Sequence, residues 1–149
     1  MMLLLTWLVR FVHVTCAVAW IGGYAMIVLV IMPYLRRWPD EHLIRMTMRL
    51  LRTMSYTGTV ALVAGAILIA LTRGYGAILR GEWGALVIVG TVVAVTLLGV
   101  GDSALRPALR RLKEPDSKEA RRMQLWATIG LVLGLIAIAA MTRAIYAAG

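Results

Sequence analysis

Four long stretches of this chain carry no charge, and no other feature constrains its fold as tightly. Residues 11–35, 53–72, 83–101 and 123–142 contain no Asp, Glu, Lys or Arg. At a rise of about 1.5 Å per residue, roughly 20 residues cross the ~30 Å hydrocarbon core of a bilayer, so each run is long enough to span it. Lipid offers the backbone no hydrogen-bond partners, which leaves helices or closed barrels as spanning structures. Strict apolar/polar alternation is absent, and this excludes the barrel. The expected fold is all-α: a polytopic membrane protein folded as an antiparallel four-transmembrane-helix bundle. It forms one domain over residues 1–149, with helices over about residues 7–35, 43–72, 83–105 and 120–146. Composition agrees, since 61% of residues are hydrophobic, against ~45–50% in soluble domains. The first run is too long for a signal-peptide core, only Arg10 precedes it, and Met32-Pro33-Tyr34 is no small-residue cleavage site. It reads as a retained helix.

The net charge of +9 does not mark a nucleic-acid binder, because the cations flank the spans. Arg36, Arg37, Arg45, Arg49 and Arg52 lie between the first two runs. Arg106, Arg110, Arg111, Lys113, Lys118, Arg121 and Arg122 lie between the last two. Only Arg10, Arg73, Arg80 and Arg143 fall on the other side. This asymmetry predicts both termini outward (N-out/C-out) and both long loops cytoplasmic, in a bacterial inner membrane. Membrane lipids with anionic headgroups are the expected partners of the loop arginines. Trp7, Trp83 and Tyr146 at one level, and Tyr34, Trp38 and Trp126 at the other, form the expected interfacial belts.

Within the loops, Asp40 is placed to cap a second helix that begins early. The stretch from Leu105 to Met123 mixes signs around Pro107 and Pro115 and reads as a short helix, a break and then the entry to helix four. No long internal repeat is present. Gly130-xxx-Gly134 on helix four and Thr15-xxx-Ala19-xxx-Gly23 on helix one suit close backbone approach, as do Gly58 and Gly65 on helix two.

Helix one also carries unusual groups for a span: FVHVTCAVAWIGG, residues 11–23. At 100° per residue, Trp20 and Tyr24 lie within about 20° of His13, with Cys16 and Arg10 about 60° to either side. Thr15, Ala19, Gly22 and Met26 fall on the opposite half, which is expected to be the close-packing side. His13 lies roughly 9 Å below Trp7 along the axis. An imidazole at that depth needs a partner or a ligand. Three readings stand side by side. His13 bonds a neighbouring helix's carbonyl or Thr142. Alternatively it is an axial ligand of haem b, with Trp20 and Tyr24 along the macrocycle and Arg10 or Arg143 near a propionate. In the third, His13 and Cys16 are copper ligands, with Met26 or Met141 as a further donor. A second protomer supplies another ligand if the chain forms a homodimer. A lone cysteine excludes an internal disulfide. No Ser/His/Asp set, paired carboxylate, phosphate loop or zinc spacing supports hydrolase chemistry. Asp102 and Ser103, with Arg106 at i+4, are expected to be structural, and Ser55, Tyr56 and Thr57 are candidates to join Asp102 in a polar cluster.

The frame His13, Trp20, Gly22-Gly23 and Met32-Pro33 resembles the copper-resistance D (CopD-type) membrane domain and related bacterial integral membrane proteins. Arg49–Arg52 leading to Thr57-Gly58, and Arg106-Pro107, fit that pattern more loosely. The same frame, with Tyr24, resembles more distantly the HemJ type of protoporphyrinogen oxidase, a four-helix haem-linked family. That family carries a Lys early in helix three. Here Trp83 is followed by Gly84-Ala85-Leu86-Val87, which points away from porphyrinogen oxidation. The resemblance implies a redox-active cofactor, copper or haem b, near the outward side, serving copper handling or membrane electron transfer. The contrasting expectation is a non-catalytic subunit or anchor of a larger membrane complex.

Overall fold

The computed structural model describes residues 1–38, 40–112, 114 and 117–147. Pro39, Lys113 and Pro115, assigned to loops from sequence, lie outside the described residues. Four helices span Met2–Arg37, Glu41–Thr72, Gly81–Arg110 and Lys118–Tyr146, each long and apolar enough to cross a membrane. No strand occurs among the described residues. Asp40 caps helix two, its carboxylate accepting the Leu43 N–H at 3.0 Å. Ser117 caps helix four in the same way, accepting from Ala120 at 3.3 Å.

Helix three runs on to Arg110, so the separate short helix expected around Pro107 is instead its final turn. A π-helical turn makes this possible. Proline lacks an N–H, and its ring collides with the carbonyl four residues earlier, so it normally ends or kinks a helix. Here the turn before each proline widens: Ile27–Ile31 ahead of Pro33, and Gly101–Leu105 ahead of Pro107. The Met32 N–H bonds the Ile27 carbonyl, and the Arg106 N–H bonds that of Gly101. The wider ladder leaves room for the ring and lets both helices continue.

These two sites echo one another in sequence. Met32-Pro33-Tyr34-Leu35-Arg36-Arg37 matches Arg106-Pro107-Ala108-Leu109-Arg110-Arg111 at Pro, Leu and both Arg. Burial follows the same register: Leu35 and Leu109 are both fully buried, and Ile31 and Leu105 are buried as well. Beyond the loops, Thr47, Leu51, Met54 and Gly58 of helix two are buried as Met123, Ala127, Gly130 and Gly134 of helix four are. The chain is therefore two similar helical hairpins. Helix one packs on helix two and helix three on helix four, while one meets four and two meets three. Helices one and three thus run in the same direction at diagonal positions.

Lipid tails are as apolar as the side chains, so no hydrophobic drive holds these helices together; close packing and interhelical hydrogen bonds do. Several helical glycines receive large side chains. Trp20 lies on Gly58, Tyr24 on Gly130, Ile21 on Gly134, Met54 on Gly23 and Met141 on Gly90. This corrects the expected facing of helix one. Thr15, Ala19, Gly22 and Met26 are exposed, and nothing lies within 4 Å of where a Gly22 side chain would begin. The half that packs is the one bearing His13, Trp20 and Tyr24. Its rings reach further than small residues do, and the partner helices supply the glycines that accept them.

Candidate functional site on helix one

His13 sits half-buried against helix two. Its Nδ1 lies 2.7 Å from the Ala61 carbonyl oxygen. A carbonyl can only accept, so Nδ1 carries the proton, and in the neutral imidazole Nε2 is then the nitrogen with the lone pair. A Cβ on residue 65 would lie 3.0 Å from His13 Cε1 and 3.2 Å from Nδ1. A side chain at residue 65 would press on the imidazole, which would have to give by a few tenths of an ångström.

Seven residues on, Trp20 is 4% exposed. A Cβ on residue 58 would come within 2.6 Å of its Cε2. Tyr24 is fully buried with its ring over Gly130, and its hydroxyl donates to the Leu97 carbonyl at 2.7 Å. That bond crosses the bundle from helix one to helix three. The site residues therefore share one face, as their angular spacing predicts, but they meet different helices. His13 and Trp20 dock on helix two, and Tyr24 docks on helices three and four. Both larger rings are enclosed by their neighbours, so a macrocycle lying along them would require those helices to part. Cys16 is partly exposed and free. Arg10 is exposed, with no ion pair among the described residues. No group of three or more His, Cys, Asp and Glu comes together among the described residues. His42 lies exposed at the far end of helix two.

The Ala61 carbonyl is the partner that residue patterns could not single out, because a main-chain acceptor has no residue-type signature. Gly58 and Gly65 were legible as points of close approach.

Polar groups close both ends of the bundle. At the loop end, Asp102 accepts from Arg106 at 2.9 Å and from the Ser55 hydroxyl at 3.2 Å, and Arg106 also donates to Ser55 at 2.9 Å. Tyr56 does not join this cluster; it is exposed, and Thr57 bonds within its own helix. At the terminal end, Arg143 pairs with Glu82 at 2.8 Å. Arg73 lies over the Trp83 ring, 5.0 Å from its centroid, and donates to the Ala147 carbonyl at 3.2 Å. Compared with known proteins, the chain matches no family model, no curated protein and no solved structure.

Proposed function

We propose that this chain is a bacterial inner-membrane protein that holds a redox-active cofactor through His13, near the outward side of the bilayer. One observation carries the reading: Nδ1 is committed to the Ala61 carbonyl. Metal-ligating histidines characteristically donate one ring N–H to such an acceptor, which fixes the tautomer and leaves the other nitrogen for the metal. With one such nitrogen per chain at this depth, haem b fits by ligand count, since haem iron needs a single strong axial ligand from the protein, and it would have to sit clear of the enclosed Trp20 and Tyr24 rings. Copper is the second form of the same proposal, because Cys16 stands one turn from His13 and adds a soft donor. The group would supply one-electron chemistry, for membrane electron transfer or copper handling. His13 would hold it, and helix two would orient the ring.

A second reading is favoured by a different observation. The rings of His13, Trp20 and Tyr24 each already rest on a glycine or bond a carbonyl, and this accounts for the motif through helix packing alone. In that case the chain is a non-catalytic subunit of a larger membrane complex. Purified protein in mild detergent separates these readings through its visible spectrum and its metal content. A Soret band that His13→Ala removes supports haem, and stoichiometric copper lost in the same variant supports copper. Colourless, copper-free protein from membranes replete in both leaves the packing role.

A further inference from the structure

The terminal end of the bundle holds a second feature, independent of His13. Arg73, Gly76, Ala77, Arg80 and Trp83 line a concave site of about 330 Å³ where helix two turns into helix three. Two arginines line it, and among the described residues no carboxylate does. The neighbouring acid, Glu82, is engaged by Arg143. Arg73 is held in place by the Trp83 face and the Ala147 carbonyl. Arg80 makes no side-chain hydrogen bond or ion pair among the described residues and is exposed. Gly76 adds only backbone, with nothing within 4 Å of where its side chain would begin. Helix three starts alongside without a side-chain cap, with Glu82 in its first turn.

Cations are disfavoured on this side of a membrane protein by the same asymmetry that places the loops inside. Two of them at one concave site, one anchored and one uncommitted, therefore need an explanation other than topology. The indole sets the depth, because Trp prefers the headgroup level. Planar guanidinium forks pair bidentately with carboxylate or phosphate oxygens, and at the headgroup level phosphate is the abundant anion. We infer that this pocket binds a phosphate-bearing anion at the outer interface, with Arg73 as the fixed fork and Arg80 as the arm that closes on it. The phosphate belongs either to an anionic phospholipid headgroup or to a free ion, and the test separates these sources.

Protein labelled with 5-fluorotryptophan in non-ionic detergent carries five fluorine reporters, one per tryptophan, and Trp83→Phe identifies the one in the pocket. The probes are dihexanoyl phosphatidylglycerol and inorganic phosphate, with dihexanoyl phosphatidylcholine controlling for acyl-chain effects. The expected result is a saturable shift of the Trp83 resonance that Arg80→Gln weakens by roughly tenfold or more, while Arg80→Lys retains part of it. Response to phosphatidylglycerol alone assigns a lipid headgroup, and equal response to inorganic phosphate assigns a free ion. Gly76→Val fills the pocket without altering charge and should also weaken binding, which keeps the test sound if Arg80→Gln disturbs the Trp20 resonance. A Trp83 signal that neither probe moves, or that moves equally in both variants, overturns the inference.

Discussion

Glycine positions on the partner helices determine what the rings of helix one can do. Tyr24 occupies space that any side chain at residue 130 would claim. Gly130→Ala should therefore destabilise the bundle by about 1–3 kcal/mol, as overpacking of a close-fitting core does. Reversible unfolding in mixed detergent micelles would read this. Trp20 and Gly58 form a similar pair, so Gly58→Ala should be costly alone and partly rescued when Trp20→Phe removes the overlapping ring. If the two changes simply add, the contact is not what holds the pair. Tyr24→Phe deletes one interhelical hydrogen bond to the Leu97 carbonyl. Such bonds within membranes average about 0.6 kcal/mol, so this variant should be far milder than Gly130→Ala. His13 belongs in this group by geometry, but its ring has a second nitrogen beyond the one that faces Ala61. In the sequence these partnerships were half visible. His13, Trp20 and Tyr24 could be placed on one face from their spacing, whereas the side of helix one that packs was misjudged. Small residues suggest close contact, but Thr15, Ala19 and Gly22 have no partner glycines opposite them and face outward.

At the scale of helices, the prolines explain both the length and the similarity of helices one and three. Each proline is preceded by a widened turn, and each is followed by a buried leucine and two arginines. Pro33→Ala and Pro107→Ala restore an amide donor and remove the ring, so the turn can tighten into a regular helix. Tightening rotates everything beyond it, including Leu35 in one case and Leu109 in the other. The expected outcome is faster amide exchange in residues after the substituted position, even though alanine is the better helix former. Unchanged or slower exchange there would mean that the wide turn is not required by the packing. The polar link among Ser55, Asp102 and Arg106 fastens the hairpins at this end. Asp102 is more than half exposed, so solvent screens the pair and Asp102→Asn should cost no more than about 1 kcal/mol. Hydropathy revealed the four spans, since lipid demands ~20 apolar residues whatever the packing. The π-helical turns were hidden, because proline ordinarily signals an end and the compensating hydrogen bonds belong to the main chain.

For the whole molecule, the distribution of cations predicts the membrane orientation, and that orientation would set the sidedness of both proposed sites. With Cys16 replaced by serine, a cysteine introduced at Gly76 should react with an impermeant maleimide added to intact cells. One introduced at Glu114 should react only after the membrane is opened. The reverse pattern would move the His13 site to the cytoplasmic half. The account turns, however, on one nitrogen. Protein labelled with ¹⁵N-histidine carries two imidazoles, His13 and His42, which His42→Gln reduces to one for NMR. The account predicts that His13 is protonated at Nδ1 and unprotonated at Nε2 in the cofactor-free protein, and that loading with haem or copper shifts Nε2. A proton on Nε2, or a His13 spectrum unaltered by either addition, would contradict it.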